Sequence, residues 1–336
     1  MAEKERDELQ RAESEMNLQI RYFPVPGGAA LVSCRGSGSA VRLPGSAGGL
    51  ALREIRPYAF SSPQAAADHL PAGTEVRCAP AGAPGGARDF LGGPALREIA
   101  LPDGLRSVGE YAFYNCTSLA RVVLGAGAAR IGNGAFMNCV SLGEIVVEAS
   151  ADEATCLPGL LADFPREVRV LFRSKTGISE WIFPEYYDES VEKCTARIFE
   201  HFIRGAGFRY RQCFAGDRLD AAAYDEQFPM ARVEAGPRAA LRIALARLRT
   251  PFRLSRAARG RYLDHLRENA DAAAEFLIRN DDPAGLSLLA KSGVFTRESF
   301  GTALEAASRA GRAECLGVLL NERRGRPAAN EKKFEL

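Results

Sequence analysis

The sequence predicts an α+β protein in which a short β-solenoid made of sequence repeats precedes a mainly α-helical domain. Three features point there. Ala-Phe and Asn-Cys pairs recur 23 residues apart in the first half of the chain. An apolar alternation of strand type follows each recurrence. From about Glu189 onward the apolar residues fall instead at helical spacing, with turn residues between the runs.

Three segments align: Leu52-Arg-Glu-Ile-Arg-Pro-Tyr-Ala-Phe60, Leu105-Arg-Ser-Val-Gly-Glu-Tyr-Ala-Phe113 and Ala128-Ala-Arg-Ile-Gly-Asn-Gly-Ala-Phe136. The second and third continue as Tyr114-Asn-Cys-Thr-Ser-Leu119 and Met137-Asn-Cys-Val-Ser-Leu142. Strand alternations follow at Leu96, Ile99, Leu101, at Leu119, Val122, Leu124, and at Leu142, Ile145, Val147. Because alternate strand residues point to one face, Ile99, Val122 and Ile145 are expected in one buried ladder. The Ala-Phe pairs should form a second ladder, Ala allowing close stacking and Phe filling the interior. Gly104, Gly125 and Gly132 mark turns.

At these residues the chain resembles the BspA-like leucine-rich repeats of bacteria, whose units read Leu-x-x-Ile-x-Leu-Pro, then Ile-Gly-x-x-Ala-Phe, then Asn/Gly-Cys. Leu96 to Pro102, Val108 to Phe113 and Asn115-Cys116 carry the match. Residues 20–60 fit more loosely, with Ala40-Val-Arg-Leu-Pro44 as a strand. The resemblance covers residues 20–150 and implies a repeat fold, while leaving the task open. Residues 61–94, rich in Ala, Gly and Pro, read as an irregular insertion: a degenerate repeat carrying a surface loop.

The remaining organisation follows from composition shifts. Residues 1–19 are a charged N-terminal segment. Residues 151–186 form a β-containing transition or cap, with strands expected over 167–172 and 178–183 and a turn into a helix at Glu185 to Asp188. Residues 187–324 are expected to be helical: Leu241, Leu245 and Leu248 share one face, and Tyr262, Leu263, Leu266, Phe276 and Leu277 continue the pattern. Gly293 and Gly311 split the last helices, and Ala303 to Leu320 resembles one ankyrin-like helical hairpin. Residues 325–336 read as a disordered tail.

Composition narrows the function classes. The 336 residues are 46% hydrophobic and 26% charged with net charge +2, an ordinary globular balance without a strong field toward nucleic acid or anionic lipid. The charged N-terminus resembles neither a secretory signal nor a membrane anchor, so a cytoplasmic protein without membrane association is expected. Eight scattered cysteines without C-x-x-C read as free thiols in a reducing compartment. They offer no clustered metal ligands, and Gly36-Ser-Gly38 and Gly205-Ala-Gly207 stop short of a phosphate loop. No cofactor or metal is expected.

The sequence therefore reads as a non-enzymatic interaction or scaffold module with an unidentified protein partner. Its expected surface is the outer sheet face of the repeats: Arg97, Glu98 and Ala100; Arg121 and Val123; Glu144 and Val146. There, mixed charge would surround a small apolar centre. Two alternatives stand beside it. One is a small hydrolase or transferase with a site near His201, Arg209 and Cys213. The other is anion or nucleic-acid binding through Arg204, Arg209 and Arg211 in a segment that mixes cations with aromatics. Sequence assigns no oligomeric state.

Overall fold

A computed structural model of the chain describes residues 18–79, 89–125, 127, 130–162, 164–193 and 198–324; for 190–193, 198–202 and 324 it describes the backbone only. The expected charged N-terminus and C-terminal tail, and Cys194, lie outside these residues. The fold is mixed α and β, and the chain divides into two compact units, residues 1–235 and 236–336.

The first unit is built on two sheets between which the chain alternates. Its described strands are β1 (Gln19–Val25), β2 (Gly28–Gly36), β3 (Ala40–Arg42), β4 (Ser46–Ala47), β5 (Leu50–Ile55), β6 (Arg77–Ala79), β7 (Asp89–Phe90), β8 (Glu98–Ala100), β9 (Ser107–Val108), β10 (Arg121–Leu124), β11 (Arg130–Ile131), β12 (Glu144–Val147), β13 (Val168–Ser174), β14 (Gly177–Phe183), β15 (Tyr187–Lys193), β16 (Ile198–Arg204), β17 (Phe214–Ala215) and β18 (Arg218–Leu219). One sheet runs β11-β9-β5-β2-β1-β6, with β4 on β5 and β7 on β2; the other runs β14-β13-β12-β10-β8-β3. Each repeat gives one strand to each sheet, parallel to its predecessor. Val41, Ile99, Val122, Ile145 and Val170 fall in register as one ladder, so the predicted row gains a residue at each end. All but Val41 are completely buried.

The Ala-Phe turns make the second ladder. Phe60, Phe113 and Phe136 stack with ring centroids 4.8 Å apart at both steps and planes within 10° and 13°. Backbone bonds from Phe60 N to Ala112 O and from Phe113 N to Ala135 O tie successive turns. The glycines of the repeat are required by this spacing. A Cβ on Gly109 would stand 2.4 Å from Pro57 N, and one on Gly132 2.5 Å from Glu110 N, so neighbouring backbone occupies the room a side chain would need. Cys116 and Cys139 complete the interior, each thiol donating at 3.3 Å to the carbonyl of Phe60 and Phe113 respectively.

Tyr58, Tyr111 and Gly134 occupy the same place in successive turns and share left-handed backbone, at φ 60°, 54° and 64°. Such a conformation is strained for a bulky side chain. The two tyrosine rings stack at 5.4 Å, a contact that offsets part of the strain.

Of the insertion at 61–94, the described residues 61–79 and 89–94 hold regular elements. A helix, Pro63–Asp68, is capped by Ser62, and β6 and β7 join the first sheet on β1 and β2. Past the repeats, β13 continues the second sheet in parallel and β14 turns back antiparallel as its last strand. Tyr224, on the helix Ala221–Glu226, closes that edge: its hydroxyl donates to Ile182 O at 2.6 Å and accepts from Ile182 N at 3.1 Å. The pairing groups of Ile182 on that edge are thereby satisfied.

The expectation of helix from Glu189 is corrected. Residues 187–193 and 198–204 pair as antiparallel strands, β15 with β16, in which Tyr187 faces Arg204 and Lys193 faces Ile198. The run Ile198-Phe-Glu-His-Phe-Ile203 sets its apolar residues at i, i+1, i+4 and i+5, a helical spacing, but they are the β-branched and aromatic types that favour strands, and that preference prevails.

In the second unit the helical expectation holds. Six helices follow one another: Gly236–Arg249, Arg256–Glu268, Ala270–Arg279, Pro283–Lys291, Arg297–Arg309 and Ala313–Arg324. Their starts are fixed by Ser255, Asp282 and a Thr296/Ser299 capping box. Gly293 and Gly311 reverse the chain at φ 66°. Ala270–Arg279 packs on Arg297–Arg309 and Pro283–Lys291 on Ala313–Arg324, so the last four helices are two stacked hairpins.

Candidate interaction surface

Strand register decides which repeat side chains share the outer face of the second sheet. Glu98, Arg121, Glu144 and Arg169 are directly paired across β8, β10, β12 and β13. They form a continuous ladder of alternating charge. Arg121 bridges Glu98 at 3.0 Å and Glu144 at 2.8 Å, while Arg169 bridges Glu144 and Glu180, each at 2.8 Å. Burial works against the Arg169 charge, but its hydrogen bonds and attraction to Glu180 and Glu144 outweigh that and raise its pKa above the usual value. Beside the ladder, Arg97 is exposed, and no ion pair joins it to a described residue. Arg173 pairs with Glu148 at 3.3 Å two rows along.

The predicted apolar centre is corrected. Ala100, Val123 and Val146 lie in the adjacent outward row, yet they are buried and form a cluster with half-buried Leu171. In-register stacking sets each of these side chains directly against its cross-strand neighbour, which closes its flanks. What the face offers a partner is therefore charge. Arg169 and Glu180 were missed because the strands at 168–183 lie beyond the Asn-Cys repeat; the alternation Val168-Arg-Val170 was the available signal.

The ladder's energy is modest because most of its groups are a quarter to a third exposed, each pair contributing about 0.2–1 kcal/mol. Replacing Glu144, which holds both arginines, by Ala is expected to lower stability by about 1 kcal/mol. Urea unfolding at low and high salt checks this, since added salt should shrink the difference between the two proteins.

The anion-binding alternative is also corrected, because its three arginines do not converge. Arg204 pairs with Glu189 at 3.2 Å, and Arg209 lies 4.0 Å from Glu234. Arg211 is buried, with every donor on a backbone carbonyl: Nε and Nη2 to Phe164 O (3.0 and 2.7 Å), Nη2 to Arg166 O (2.7 Å), Nη1 to Pro184 O (2.6 Å) and Gly207 O (2.9 Å). Its guanidinium sits 5.0 Å from the centre of the Tyr186 ring. Burial pulls its pKa down to about 10, so it remains charged at neutral pH. It is an internal tie between segments.

A hydrolase or transferase site near His201, Arg209 and Cys213 would need Cys213 as its nucleophile. Cys213 is buried and its thiol donates to Arg209 O at 3.4 Å. Burial, then the nearby Asp220, Asp225 and Glu226, push its pKa up to about 12, away from the reactive thiolate. The side chain of His201 lies outside the described residues. Among the described residues, no group of three or more His, Cys, Asp or Glu could hold a metal, and no helix is long and apolar enough to cross a membrane.

Comparison with known proteins gives two likenesses. Residues 86–155 match the family model described as "BspA type Leucine rich repeat region (6 copies)". A solved structure, the leucine-rich-repeat protein of T. pallidum, is similar at 23% identity over 39% of this chain and 51% of its own, with a TM-score of 0.24. The match thus spans about half of that protein. No curated protein matches the chain.

Proposed function

Because residues 86–155 are BspA-type leucine-rich repeats, we propose that this protein is a non-enzymatic interaction module, a short solenoid whose outer sheet face holds a protein partner. The observation that carries the reading is the in-register ladder Glu98-Arg121-Glu144-Arg169, held at its end by Glu180 from the next strand, with Arg97 beside it. Parallel strands hold these groups at fixed spacing, so a partner meets an ordered pattern of charge without first having to order it. Such a face selects partners by electrostatic complementarity more than by apolar area. The seven described cysteines are free thiols, which supports a reducing, cytoplasmic setting.

The reading is tested by placing a photo-crosslinking residue at Arg97 and, as a control, at exposed Arg130 on the other sheet. In extracts of the source organism, the Arg97 variant should capture one defined polypeptide that the control does not. A folded Arg97 variant that captures no polypeptide, or only those also taken by the control, overturns the proposal.

A further inference from the structure

The second unit ends in an unfinished stack. At an offset of 30 residues, Leu286, Leu289 and Ala290 of the inner hairpin correspond to Leu316, Leu319 and Leu320 of the terminal one. Leu286 is 0% and Ala290 6% exposed, in a hairpin that carries another on its face. Leu320 is 42% exposed, and with Leu304 and Leu316 it lines an open groove between the Arg297–Arg309 and Ala313–Arg324 helices. The terminal repeat of a stacked array normally presents a polar outer face. Here that place sets three leucines, one of them exposed, among Glu305, Ser308, Arg309 and Arg323.

The unit carries both paired charges and exposed charges, such as Arg256, Asp271 and Arg297, that join no ion pair with a described residue. Arg249 pairs with Asp282, Arg267 with Asp264, Lys291 with Glu322 and Arg312 with Asp281. Glu305, Arg309 and Arg323, which line the groove, form no ion pair with any described residue. A groove with three leucines and unspent charges of both signs is complementary to itself. Under two-fold symmetry one surface meets its own copy, so Glu305 of one chain can face the arginines of the other.

From these features we infer that the terminal hairpin is a self-association surface, packing face to face on the same hairpin of a second copy. This surface is independent of the repeat face proposed above. Helices of this length present roughly 400 Å², about half of what each partner gives to a standard interface, so the association is weak and concentration-dependent.

Sedimentation velocity on the full chain over a micromolar-to-millimolar series should show a monomer–dimer equilibrium. Leu320→Glu should weaken it about tenfold or more. Glu305→Arg should weaken it as well, and adding Arg309→Glu and Arg323→Glu to that variant should restore it. Circular dichroism would establish that each variant is folded. A chain that stays monomeric throughout overturns the inference, as does a dimer indifferent to Leu320→Glu. So does self-association that appears only once residues 325–336 are removed, because the groove would then belong to the chain's own end.

Discussion

Replacing Arg211 by Ala is expected to destabilise the first unit by about 4 kcal/mol, roughly the loss of two or three buried hydrogen bonds to a charged donor. Its guanidinium ties carbonyls from three stretches of chain: Phe164 and Arg166 before β13, Pro184 after β14, and Gly207 in its own helix. Removing it strands four acceptors, each costing about 1–3 kcal/mol if water does not reach it. Arg211→Lys should recover only part of the loss, because an ammonium has three donors and no planar fork to span the carbonyls. Urea unfolding of the two variants checks both the size and the order. A loss below about 1 kcal/mol for Ala would reject the tie, since that is what an ordinary surface contact contributes. The same variants separate this role from anion recognition, which would leave stability intact and abolish phosphate binding.

Arg211 also shows where sequence alone reads poorly. In the string Arg204-Gly-Ala-Gly-Phe-Arg-Tyr-Arg211 three arginines look equivalent, yet one is exposed and paired with Glu189, one borders Glu234 and one is buried. Nothing local distinguishes them, because Arg211's partners lie 27 to 47 residues away, apart from Gly207. The repeats are legible for the opposite reason. Their contacts join the same place in successive units, so the 23-residue period itself announces the ladders of Ile99, Val122 and Ile145 and of Phe113 and Phe136. Glu98, Arg121 and Glu144 were assigned to the outer face by alternation and lie there. Ala100, Val123 and Val146 obey the same alternation but are buried, since strand period fixes direction and leaves burial to whatever surrounds the face. The strand pair 187–193 and 198–204 escaped because Ile198, Phe199, Phe202 and Ile203 recur at helical spacing, which hides the strand preference of their side chains.

The phenylalanine stack supports the second large expectation. Phe113 is completely buried between Phe60 and Phe136, with centroids 4.8 Å away on both sides. Phe113→Ala should cost about 3–5 kcal/mol from lost burial and the cavity left behind, with roughly 0.5–1.5 kcal/mol more for each ring contact removed. The cavity cannot collapse easily. Gly109 and Gly132 already hold adjacent turns at backbone contact, so the turns have no room to move closer. Phe136→Ala removes only one of the two ring contacts and should cost less. The double variant should fall short of the sum by about the energy of the shared contact. Thermal or urea unfolding of the three proteins measures that coupling. Strict additivity would mean that the rings fill space independently and that the stack does not couple one turn of the repeat to the next.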